Sequence, residues 1–147
     1  MNNPTAEISA IDAILDGFHT AASQADAPTY FGYFHKDAVF IGTDKTERWS
    51  VEAFKAFAEP YFSKGKGWTY VSKERNVSLS PDGNTAWFDE QLHNDKYGNT
   101  RGSGALVKQG KAWKITQYVL SFPIPNDVAK DAIKLIQAYE KNTDTTP

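Results

Sequence analysis

The apolar positions of this chain change period, and the changes mark out its elements. Ile8, Ile11, Leu15, Phe18 and Ala22 recur at three- and four-residue spacing, which predicts a helix with one buried stripe. Asn3 is placed to cap it and Pro4 to open it, and His19 flanks the stripe. Asp26 is placed to cap a short second helix dense in aromatics: Tyr30, Phe31, Tyr33 and Phe34. Residues 37–43 read as a strand, β-branched and aromatic, ended by Gly42. A polar loop follows as far as Trp49. Ser50 caps a third helix, with Trp49 and Phe54 spaced as a hydrophobic staple. Its predicted buried face is Phe54, Phe57, Tyr61 and Phe62, and Pro60 should bend or end it in its last turn. From residue 68 the period becomes two. Strands are predicted over 68–80, 84–94, 101–108 and 112–122, separated by turns at Pro81-Asp82-Gly83, Lys96-Tyr97-Gly98-Asn99 and Gln109-Gly110-Lys111. Gly102 and Gly104 inside the third of these strands signal a bulge or a close backbone approach on a strongly curved sheet. Pro123 and Pro125 end the last strand. Asn126 is placed to cap a final helix over about 126–142, with Val128, Ala132, Leu135, Ile136 and Tyr139 as its apolar face. The tail 143–147 should fray.

Helices followed by a run of antiparallel strands is an α+β pattern. Neither a repeat nor a linker interrupts it, so one domain is expected over 1–147, with its core at about 4–122. A curved sheet wrapped on helices makes a cone with an open mouth, a natural small-molecule pocket.

Composition narrows the possible partners. Aromatics make up 14% of the chain, which favours bulky packing around a cavity or an interface. The net charge is -2 without a basic stripe, which argues against nucleic acid as a partner. There is no cysteine, so disulfides, thiol catalysis and thiolate metal sites are excluded. The start M-N-N-P-T-A-E-I lacks a basic start and a long apolar run, and no stretch is suited to span a membrane. A cytoplasmic protein is the expectation.

The stretch A-W-F-D-E-Q-L at 86–92 sets two carboxylates, Asp89 and Glu90, side by side in an aromatic strand. Strand alternation sends them to opposite faces. Together with Y-F-G-Y-F-H-K-D-A-V-F-I-G-T-D-K-T-E-R-W, R-G-S-G-A-L-V-K and W-K-I-T-Q-Y-V-L-S, this stretch resembles the SnoaL-like domains of the nuclear transport factor 2-like superfamily. The resemblance runs from about Ile8 to Ser121. It implies a cone-shaped, cystatin-like fold: N-terminal helices packed on a curved antiparallel sheet, here with an added C-terminal helix. It also implies dimerisation through the outer face of the sheet. The superfamily spans cyclases, isomerases, dehydratases, kinase association domains and transport adaptors, so fold does not select function or decide whether the chain is an enzyme. Many SnoaL-like domains end the last strand in W-K-I-x-H-x-H-x-S. Here Gln117 and Val119 stand at those positions, which removes a histidine relay from that strand.

By analogy with the kinase association domains, the face of Glu90 is assigned to the pocket. Arg101, Ser103, Ala105 and Val107 share one face of the next strand. Pairing Val107 with Trp113 brings Gln117 and Val119 to that face. The expected pocket therefore holds Glu90, Arg101, Ser103 and Gln117, ringed by Tyr33, Phe40, Trp49 and Phe88, with His19 within reach. Glu90 would serve as base and Arg101 or Tyr33 as oxyanion partner. The plain alternative is a Glu90–Arg101 ion pair that only holds a hairpin. A one-residue register slip would make Asp89 the inward acid. His35 and His93 read as surface or interface residues. No two histidines have ligand spacing, so neither metal nor cofactor is expected. The opposite face, with Trp87, Leu106, Tyr118, Leu120 and Phe122, is expected to form a symmetric homodimer interface. Two functions fit: binding a small, partly apolar molecule with proton transfer, isomerisation or cyclisation, or a non-catalytic dimerisation or partner-binding module with a vestigial pocket.

Overall fold

A computed structural model describes residues 3–143. The tail expected to fray lies, beyond Thr143, outside the described residues. The first helix, α1 (Pro4–Ser23), is capped by the Asn3 side chain, which accepts from the Thr5 amide at 3.1 Å. It buries Ile11, Leu15, Phe18, Ala21 and Ala22. The short α2 (Ala27–Gly32), capped by Asp26, delivers Tyr30 and Phe31 to the same core. Strand β1 (Phe34–Ile41) follows, starting three residues earlier than the sequence suggests. The polar loop after it ends in a short strand, β2 (Arg48–Ser50), that pairs back on β1. Ser50 caps α3 (Val51–Phe62) by accepting from the Ala53 amide.

The buried face of α3 is Phe54, Ala58 and Phe62, whereas Phe57 and Tyr61 are exposed. The expected four-aromatic face is thus corrected: Phe54, Ala58 and Phe62 follow the four-residue row, and Phe57 and Tyr61 lie on the next one. Trp49 stacks on exposed Phe57, with ring centroids 5.1 Å apart. Pro60 sits inside the last turn, and the helix continues to Phe62.

Four long strands complete the sheet: β3 (Val71–Leu79), β4 (Thr85–Asn94), β5 (Gly98–Gln109) and β6 (Ala112–Ser121). The spatial order is β2-β1-β6-β5-β4-β3, and all pairs are antiparallel except β1 with β6, which run parallel. The curved sheet is therefore mixed rather than wholly antiparallel. Its inner face and the stripe of α1 enclose one aromatic core; Phe18 alone lies within 4.4–5.5 Å of the rings of His19, Tyr30, Phe34 and Tyr118. Burial of each such aromatic stabilises the fold by about 1.5–3 kcal/mol relative to exposure.

A 3₁₀ turn at Asn126–Val128 leads into α4 (Ala129–Thr143), which buries none of its residues; Pro125, not Asn126, stands at the cap position of that turn, and no side-chain cap bond is made. Among the described residues no helix is long and apolar enough to cross a membrane.

Register decides which side chains meet. β4 places Ala86, Phe88, Glu90 and Leu92 inward, all buried. On β5, Glu90 pairs with Gly102 and Gln91 with Arg101. Directly paired residues share a face, so Gly102 and Gly104 look inward while Arg101, Ser103 and Ala105 look outward. Between β5 and β6 the register shifts: Ala105 pairs with Gln117 but Leu106 with Ile115. Thr116 is the extra residue of that bulge, and it reverses the parity of the strand after it.

Candidate functional site

The site is built where one flank of α1 meets the inner face of β3 and β4. Asp12, Asp16 and His19 stand at i, i+4 and i+7, a single row beside the apolar stripe. Opposite that row, Arg75 of β3 and Glu90 of β4 are direct cross-strand partners. Glu90 is the one buried carboxylate among the described residues, at 1% exposure. Its Oε2 lies 2.7 Å from His19 Nε2 and accepts from the Tyr118 hydroxyl, also at 2.7 Å. Its Oε1 accepts from Arg75 Nε at 2.9 Å, and Arg75 Nη2 lies at the same distance without hydrogen-bond alignment. The Arg75 side chain is itself only 7% exposed; its Nη1 donates to the Asp12 carbonyl and reaches Asp16 Oδ1 at 3.0 Å.

The electrostatics follow from these contacts. Burial pushes the Glu90 carboxyl up, but the His19 bond and charge, the Tyr118 bond and the Arg75 charge outweigh it and hold the group below the usual carboxylate range. Glu90 is therefore ionised and accepts only, so His19 Nε2 must carry the proton of their shared bond. In the neutral imidazole this fixes the tautomer and leaves Nδ1 with a free lone pair; the imidazolium, whose charge also holds Glu90 low, carries a proton there. Among the described residues no side chain or backbone group hydrogen-bonds Nδ1. Burial, then the Glu90 charge, raises Tyr118 well above its ordinary value, so its hydroxyl remains a donor. The arrangement can hold a proton acceptor at fixed orientation, stabilise it when it becomes cationic, and keep a neutral hydroxyl beside it.

The residues expected in the pocket are only partly gathered here. Glu90 faces inward, and Asp89 faces outward, where it accepts from Asn76 Nδ2 at 3.2 Å. Arg101 is exposed on the outer face, so the expected Glu90–Arg101 pair is not formed; Gly102, not Arg101, sits across from Glu90. Ser103 shares that outer face, and Gln117 is exposed beside it through its pairing with Ala105. Phe40 and Phe88 line the site, their rings 5.8 and 5.7 Å from that of Tyr118. Tyr33 packs elsewhere, its hydroxyl against Gly17. Trp49 stays with Phe57. His19 is in the centre.

Arg75 and Tyr118 are the members that sequence reading missed. Arg75 was signalled by its place in an inward row, Arg75, Val77 and Leu79. Tyr118 was assigned to the outer face together with Leu106 and Leu120. Tyr118 is instead buried inside and Leu120 packs partly against the core, because the Thr116 bulge turns the end of β6 over; Leu106 is buried inside because the β4–β5 register pairs it with inward Ala86. Of that expected outer patch, Trp87 and Phe122 remain exposed. Among the described residues no group of three or more acidic or histidine side chains is arranged to hold a metal.

Two spaces adjoin His19. Inside, a cavity of ≈ 20 Å³ lies among Phe18, Tyr30, Phe40, Leu92 and Tyr118, enough for about one water. Outside, between α1 and residues 69–72, runs a groove of ≈ 290 Å³.

Comparison with known proteins agrees with this architecture. A cystatin-like domain of unknown function from Nostoc punctiforme superposes with a TM-score of 0.70 at 16% identity, covering 97% of this chain and 95% of that one. A nuclear transport factor 2-like protein of unknown function from Pseudomonas putida gives 0.68 at 17% identity, covering 86% and 94%. A protein from Novosphingobium aromaticivorans, provisionally named an aromatic ring hydroxylase, gives 0.68 at 19% identity, covering 84% and 94%. At these identities the likeness is one of fold. No curated protein sequence matches the chain. The family model of the SnoaL-like domain matches residues 11–125, and the chain belongs to the SnoaL-like domain family.

Proposed function

We propose that the protein binds a small, partly apolar molecule and moves a proton on it, with His19 as the acceptor. The observation that carries this reading is the 2.7 Å bond between His19 Nε2 and Glu90 Oε2, which leaves Nδ1 free on a ring that borders open space. Glu90 has a fully buried side chain and four contacts, so it serves as a positioning residue and not as the base itself. An ionised carboxylate behind the imidazole stabilises the imidazolium formed when Nδ1 takes a proton. The Tyr118 hydroxyl stays protonated and 3.5 Å from His19. Removal of an acidic C–H proton beside a carbonyl fits this set. Isomerisation, aldol-type cyclisation and β-elimination of water from a carbonyl compound can each begin with such a step, and one fold neighbour is provisionally named a scytalone dehydratase.

The test is exchange of the α-protons of 2-tetralone in D₂O, followed by NMR. The wild-type protein should accelerate exchange, His19→Gln should abolish the acceleration, and Glu90→Gln should reduce it by about 10²-fold. Exchange no faster than in buffer would remove the reading.

One observation favours a second reading, a dimerisation module. Trp87 on the outer sheet face, and Leu135 and Tyr139 on α4, remain 51%, 75% and 68% exposed. Such an apolar surface fits a second copy of the chain.

A further inference from the structure

The two spaces at His19 differ in a way that bears on what binds. We propose that the reacting molecule lies outside the cone, in the groove between α1 and residues 69–72, and is a small neutral ring compound bearing hydroxyl or carbonyl groups. This rests on the reading of His19 as proton acceptor.

Size comes first. The inner cavity, at ≈ 20 Å³, holds about one water, whereas the groove, at ≈ 290 Å³, stands at the small end of ligand pockets. His19 and Tyr70 are the two residues that line both, so a molecule in the groove touches His19 without entering the aromatic core.

Chemistry comes second. One wall is a helical row, Asp16, His19, Thr20 and Ser23, and the other is Thr69, Tyr70, Val71 and Ser72. Ser23 Oγ already donates to the Thr20 carbonyl and can still accept. Among the described residues no lysine or arginine lines the groove. Arg75, which pairs with Asp16 of the groove wall, has a side chain only 7% exposed and engaged by Glu90, Asp12 and Asp16. An anionic ligand would therefore meet the exposed Asp16 carboxylate with no exposed cation in the groove lining to hold it. A neutral ligand finds hydroxyl donors and acceptors on both walls, and the Tyr70 ring and Val71 give its apolar part a surface. Burial, then the Tyr97 charge, pushes the Tyr70 hydroxyl up to about 12, so it stays a donor.

Preorganisation comes third. The 69–72 wall is tied down where it begins: the Trp68 amide donates to the Ala22 carbonyl at 3.2 Å, and Asn94 Nδ2 donates to the Thr69 carbonyl at 2.9 Å. Both anchors fix the width of the groove before any ligand arrives.

The experiment titrates three probes, resorcinol, benzoate and toluene, against the full chain and follows the His19 ring signals by NMR, assigned with His19→Gln. Resorcinol should shift those signals saturably and bind at least about tenfold tighter than either other probe. Ser23→Trp and, separately, Thr20→Trp fill the groove from exposed helix positions and should each weaken resorcinol by about tenfold or more. Leu120 also lines the inner cavity, so Leu120→Phe fills it and should leave resorcinol binding unchanged. A melting curve for each variant confirms that it is folded. The proposal is overturned if no probe moves His19, if benzoate binds best, or if Leu120→Phe blocks binding and the groove variants do not. The two readings fail separately. Exchange of 2-tetralone that survives Ser23→Trp and is lost in Leu120→Phe would sink the groove while keeping His19 as base. Resorcinol bound in the groove without any exchange activity would do the reverse.

Discussion

Asp89 and Glu90 are neighbours in the chain, and Arg75 and Arg101 are each one strand away from them. The two faces of the sheet nevertheless treat these pairs differently. On the inner face, Glu90 and Arg75 are buried, mutually bonded and tied to His19, Tyr118 and two acids of α1. On the outer face, Asp89 has a single exposed bond to Asn76, and Arg101 is exposed with no ion pair among the described residues. The same residue types thus make a rigid polar cluster on one side and a solvated surface on the other. What separates them is strand parity, which fixes burial, and burial sets the size of every electrostatic effect.

The largest consequence is on stability. Arg75→Ala would strand the Glu90 carboxylate in an aromatic core and free Asp16 from its partner. Breaking a buried pair on one side costs about 3–5 kcal/mol, so a loss of that size in urea denaturation is expected. A loss below about 1 kcal/mol would mean that the inner pair behaves like a surface one, and the contrast between the faces would collapse.

Much of this contrast could be read in the sequence, and the rest failed for identifiable reasons. The order of helices and strands followed from periodicity, caps and turn residues, and the inward placement of Glu90 matches the structure. The partner of Glu90 did not follow, because the β4–β5 register depends on where the 94–98 turn closes: Asn94 pairs with Gly98, which brings Gly102 opposite Glu90. Gly102 carried the missing information. A Cβ there would sit 2.0 Å from the Tyr118 hydroxyl and 3.1 Å from Glu90 Cγ. The glycine is where the sheet makes room for the tyrosine–glutamate bond. At Gly104 a Cβ would strike the Gln117 carbonyl at 1.9 Å, beside the bulge that turns Tyr118 inward. Both glycines were read as marks of a bulge or close approach. Which residue approached could not be read, because a bulge in β6 leaves no periodic trace in so short a strand.

A smaller effect separates the faces by pH. Glu90 is held below its ordinary value of 4.5 in the folded chain, so the unfolded chain binds its proton more readily. Its contribution is complete above the unfolded value and is lost as pH falls through the folded one. Stability should therefore drop below about pH 4.5, with this one group contributing a slope of at most about 1.4 kcal/mol per pH unit. Glu90→Gln should be less stable at neutral pH and lack that part of the slope. Glu7, Asp44 and Asp82 are also held low and remain in the variant, so the difference between the two curves isolates Glu90. Parallel curves across the acid range would show that Glu90 is not the carboxylate the cluster holds ionised.

The smallest expected effect is the sharpest test of parity. Arg101 lies one residue from Gly102, and in a register slipped by one position it would be the cation beside Glu90. Its guanidinium is exposed, next to Lys73, Gln91 and Asn99 around an outer cleft of ≈ 350 Å³ under Pro123–Pro125. Arg101→Ala removes neither a buried contact nor a bond to the site, so it should change stability by less than about 0.5 kcal/mol. It should also leave 2-tetralone exchange at the wild-type rate. Salt should not rescue or worsen the variant, because no ion pair is lost. A loss of several kcal/mol, or of exchange, would place Arg101 inside. The β4–β5 register would then have to pair Glu90 with Arg101, and Gly102 could no longer lie beneath the Tyr118 hydroxyl.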